Sequence, residues 1–161
     1  MRTKTLFLLV TVALIVTSGC EKDGPEENPS HTKHYSAEVA VEWYKLLTEM
    51  TRTKPYVPPP TTRIFAYTGL ALYESVLPGM PSYKSMLEQL SGQAIVYDKH
   101  KEYYWPAAAN AALSQIAQKL VSIYPTPNTT PMKELEASFE TRFSQQIDAE
   151  KLQNSIAFGR Q

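Results

Sequence analysis

Proline dictates the layout of this chain. Ten of its twelve prolines lie between positions 55 and 131, at 55, 58, 59, 60, 78, 81, 106, 125, 127 and 131. Inside a helix a proline removes a hydrogen bond and costs about 3 kcal/mol, and inside a sheet it is confined to edges. The stretches between these breaks therefore set the elements. Ser36 caps a first helix whose apolar positions Val39, Trp43, Leu46, Leu47 and Met50 recur at helical spacing. Pro58, Pro59 and Pro60 predict a stiff extended connector. Thr61 or Thr62 then caps a helix over residues 63–77, apolar almost all round and so the expected central helix. Gly69 within it predicts the close approach of another helix. Pro78, Gly79, Met80 and Pro81 stop it.

Residues 82–90 predict a short helical turn, and 91–101 a loop in which 94–96 is a strand candidate. Pro106 opens an Ala-rich helix with Leu113, Ile116, Leu120 and Tyr124 on one stripe. Thr130 caps the next helix, striped by Met132, Leu135, Phe139, Phe143 and Ile147, and Asp148 caps a last one carrying Leu152 and Ile156. That last segment reaches Gly159, Arg160 and Gln161 without a settled cap, so it either frays or belongs to a truncated polypeptide. No sustained period-2 run appears. The expected fold is all-α, a bundle of about five helices, possibly incomplete, over residues 35–161.

The first nineteen residues read as an export signal. Arg2 and Lys4 precede an eleven-residue apolar stretch over 6–16, too short for a membrane span of about 20 residues. Thr17, Ser18 and Gly19 then lead to Cys20, the only cysteine. This resembles the lipobox of bacterial lipoproteins, with Thr17 where an aliphatic residue is usual, and implies a lipid on Cys20. An ordinary secretory signal with a chance cysteine is the competing reading. Residues 20–34 form an acidic tether (Glu21, Asp23, Glu26, Glu27) similar to the surface-export tethers of Bacteroidetes lipoproteins. The expected location is thus exported and membrane-anchored.

Charge and composition exclude several classes. The whole chain balances 16 basic against 16 acidic residues and has no long basic run, which argues against nucleic acid as a partner. A single cysteine excludes an internal disulfide and a thiolate zinc cluster. His31 and His34 share a spacing suited to metal, but in a polar tether nothing holds them. Asp98, His100 and Glu102 read as a solvated loop. Residues 102–105 (Glu, Tyr, Tyr, Trp) read as an aromatic plug over the bundle end, or as a ligand platform. Arg63 and Glu74 lie about three turns apart on one face of the apolar helix. They are expected to be structural polar anchors that each meet another helix or a missing domain. No phosphate-cradling loop and no nucleophile elbow occur, so no catalytic, cofactor or metal residue is assigned.

One block goes beyond generic helix. Residues 63–83 carry an Arg, a small-residue helix, Tyr73-Glu74 and the Pro-Gly-Met-Pro stop; Trp43, Trp105, Asn110 and the run from Ser155 to Arg160 flank it. Together these resemble the N-terminal helical region of exported proteins in the vanadium-dependent haloperoxidase / type 2 phosphatidic acid phosphatase superfamily. The resemblance implies that phosphate or vanadate binding belongs to a later bundle, whose Arg-Pro, Pro-Ser-Gly-His and Ser-Arg…His segments are missing from this sequence. Such a chain is expected to be inactive alone, with a C-terminal catalytic part as its partner. A rival expectation is a stand-alone surface module that presents Tyr56, Tyr103, Tyr104 and Trp105 to glycan or protein.

Overall fold

The computed structural model describes residues 31–53, 58–90, 92–93, 95–124 and 126–161. Within these, six helices follow one another: α1 (Glu38–Thr53), α2 (Pro58–Val76), the short α3 (Met86–Gln89), α4 (Trp105–Val121), α5 (Thr130–Ser144) and α6 (Ala149–Gly159). No strand occurs among the described residues, so the fold is all-α. Residues 95 and 96 of the strand candidate run as loop, and Ala94 lies outside the described residues.

Several starts differ from the sequence expectation. Helix α2 begins at Pro58, so the connector expected at 58–60 is its first turn. The first turn has no intrahelical partners for its N–H groups, so prolines cost nothing there, and their fixed φ already suits a helix. Thr130 is the first residue of α5 rather than its cap; its N–H donates to the Asn128 side chain at 3.2 Å. Two caps follow the expected chemistry. Ser36 Oγ accepts from Glu38 N at 3.1 Å, and Asp148 Oδ1 accepts from Lys151 N at 2.8 Å.

The larger correction concerns the centre. Helix α4, not α2, is enclosed: it packs against α1, α2, α5 and α6, and every residue of it from Trp105 to Ser114 is buried. Five alanines in that stretch let neighbouring backbones come close. Gly159 of α6 is the tightest case, since a Cβ there would overlap the Ala108 carbonyl oxygen. Gly69, expected to admit a helix, faces the Tyr44 hydroxyl of α1, 3.3 Å from where a Cβ would stand. Val39, Trp43, Leu47, Ile64, Leu113, Met132, Phe139 and Phe143 fill the main core.

The last helix does not fray. Gln115 Nε2 donates to the Arg160 carbonyl at 2.7 Å, and Val96 N donates to Gln161 Oε1 at 3.2 Å. At the other end Thr32, in a 3-10 turn (Thr32–His34), donates its hydroxyl to the Val76 carbonyl at 2.9 Å.

Candidate functional site

Helix α4 carries Asn110, Ser114 and Gln118 four residues apart, a polar stripe on a mostly apolar element. The stripe builds a buried network. Trp43 Nε1 donates to Asn110 Oδ1 at 2.8 Å, and Asn110 Nδ2 donates to the Glu136 carbonyl at 3.1 Å. Ser114 Oγ donates to Glu136 Oε2 at 2.6 Å, and Gln118 Nε2 donates to Ser114 Oγ at the same distance. Arg160 closes the outer end on Glu136 at 3.0 Å and Glu140 at 3.4 Å. Burial first, and then the neighbouring Glu136 charge, push the Glu140 pKa up, while Arg160 opposes them. Four helices are thereby joined through satisfied polar groups; no buried side-chain N or O among the described residues lacks a partner.

A second polar arrangement sits at the far side of α2. Glu74 is buried, and its carboxylate accepts from Ser85 Oγ at 2.9 Å, Met86 N at 2.7 Å and Leu87 N at 3.1 Å. It therefore caps α3, a helix of four residues too short to hold itself. Its partners lie within the chain, on α3. Arg63, expected on the same face, is exposed.

The aromatic segment closes one end of the bundle. Tyr103 and Trp105 stack at 5.4 Å and 9°, Phe158 meets both edge-on, and Tyr97 leans on Tyr103 at 5.3 Å. Tyr104 N donates to Ser155 Oγ at 2.7 Å, tying the plug to α6. Tyr103 and Trp105 are buried, so two of the aromatic residues expected to be exposed for a ligand are core residues instead. Tyr56, also named for that role, lies outside the described residues, as does Cys20.

A groove of about 550 Å³ lies between α2, α4, the end of α6 and loop residues Gln93, Ile95 and Val96. Tyr67, Leu70, Leu87, Ile95, Val96, Ile116 and Phe158 line it, together with the small residues Ala71, Ala112 and Gly159. Nothing in the sequence marked it, because its wall combines a helix face with a loop that has no periodicity. An oxyanion such as vanadate or phosphate needs converging cationic donors. The groove is lined by the Glu74 carboxylate and by no Lys, Arg or His, while Arg160 and Arg142 are bonded to carboxylates. The groove does not fit such a group. His31 and His34 stack at 6.3 Å, and no cluster of three or more His, Cys, Asp or Glu suited to a metal ion occurs among the described residues.

No family model matches the chain, and no curated protein matches it. Among solved structures it is similar to a bacterial vanadium-dependent iodoperoxidase, with a TM-score of 0.65 and 26% sequence identity. The match covers 76% of this chain and 28% of the iodoperoxidase. The helical domain thus has a vanadium-haloperoxidase-superfamily fold, in a chain that spans 28% of the length of the structure it matches.

Proposed function

We propose that this chain is the exported, lipid-anchored helical part of a haloperoxidase- or phosphatase-like protein, inactive until joined by a catalytic part that supplies the vanadate- or phosphate-binding residues. The observation that carries the proposal is the match to a vanadium-dependent iodoperoxidase over most of this chain but 28% of that one. The purified chain is expected to show no turnover above background with vanadate, hydrogen peroxide and iodide or bromide, and none with a phosphate monoester. Turnover in either assay overturns the inactivity. Anchoring has its own test: in a bacterial host the chain incorporates a labelled lipid precursor and Cys20→Ala does not. A wild-type chain without label refutes the anchor.

A further inference from the structure

The outer surface of the bundle is unevenly apolar. Among the described residues eight large hydrophobic side chains are exposed; Tyr67 and Val96 line the groove, Tyr83 the hollow beside it, and Met86 and Leu90 stand at α3, whose Leu87 is a groove wall. A second hollow of about 470 Å³ continues the first, sharing Glu74, Ile95 and Phe158 with it. Exposed apolar surface of this concentration marks a face that something covers. The small side chains of Ala71 and Ala112 in its lining leave room for a helix, about 10 Å across. Gln161 itself lines the groove, held there by Val96 N. A polypeptide continuing from it starts at the groove's lip.

Resting on the function proposed above, we propose that the groove seats one amphipathic helix of the polypeptide that follows Gln161, and that this helix is what joins the present domain to the rest of the protein. In the iodoperoxidase 72% of the chain lies outside the matched part, length enough for such a helix. The buried Glu74 contributes by holding α3, and with it Leu87, as one wall.

The test compares this chain with the longer polypeptide encoded by the genomic frame past the Gln161 codon, both carrying Cys20→Ser. A single thiol is introduced by Val96→Cys in the groove wall, or by Ile123→Cys, which is 65% exposed and does not line the groove. Both substitutions replace exposed side chains, so folding is not at stake. Labelling at position 96 by a small maleimide is expected to slow by about tenfold or more in the longer chain, with position 123 unchanged. Equal labelling of position 96 in both chains overturns the inference, as does a frame that ends at Gln161. Protection at 96 in a longer chain without vanadate-dependent turnover leaves the groove assignment standing and removes the functional reading. Turnover without protection does the reverse.

Discussion

Helices α2 and α4 lie against each other, and both are rich in apolar residues, yet they end differently. Over its first ten residues α4 is buried on all sides, whereas α2 leaves Arg63, Ala66 and Tyr67 in solvent and gives its Leu70 and Ala71 to an open groove. The difference is side-chain size. Packed helices sit 8–10 Å apart, and only a helix with a slender surface can be approached from several directions at that distance. The alanines of α4 supply that surface. On α2, Phe65 and Leu72 pack into the main core while Tyr67 and Leu70 line the groove, so it has packed helices on one side and the groove on the other.

The same substitution on the two helices tests this most strongly. Ala108→Leu on α4 is expected to cost about 3 kcal/mol, because the side chain is wholly buried in the cluster of Tyr103, Trp105 and Phe158 and the added atoms have no room, while Ala66→Leu on the open side of α2 stays within about 0.5 kcal/mol. Urea unfolding decides it: equal losses at both sites would end the distinction. Next in size is Trp43→Phe, which leaves Asn110 Oδ1 buried without its donor and should cost about 2 kcal/mol in the same measurement. An unchanged midpoint would mean that the polar stripe is not what ties α1 to α4. On the α2 side, Glu74→Ala strips the cap from α3 and should cost about 1 kcal/mol. Its sharper signature is local, with faster amide exchange over residues 86–89 and unaltered exchange in α4; a uniform rise across both would refute it.

The smallest effect is a pH dependence. Since burial and Glu136 raise the folded-state pKa of Glu140 above its unfolded value, the stability linked to this group is present in acid and is lost as pH rises through the raised pKa. Glu140→Gln is therefore expected to match the parent chain in acid and exceed it at neutral pH. A variant less stable at neutral pH would show that the Arg160 pair outweighs the burial.

Much of this architecture was legible. Proline positions and the apolar stripes of Trp43, Leu47, Met132, Phe139 and Phe143 located the long helices, because periodicity reports which face is covered. What they do not report is which helix is surrounded: a helix apolar all round reads as central whether its residues are large or small. That is why α2 was expected in the place α4 holds. The three-proline start of α2 was misread for a related reason, since a first turn tolerates what a helix interior rejects. Asn110, Ser114 and Gln118 did carry a signal, a polar row at four-residue spacing inside an alanine run, and it points to the network they form. The groove had none. Its walls come from α2, α4, α6 and a loop, and only the fold brings Tyr67, Val96 and Gln161 together.

The hydroxyl of Thr32 on the Val76 carbonyl has a mechanical meaning. Tension pulled through Thr32 loads this bond, beside Gly79 and the Trp105 indole, and then the edge-on contact of Tyr35 with Tyr104, before it reaches α1. Such a bond is worth about 1 kcal/mol. It is a weak link by comparison with the buried core behind it, so it is expected to yield before the core does.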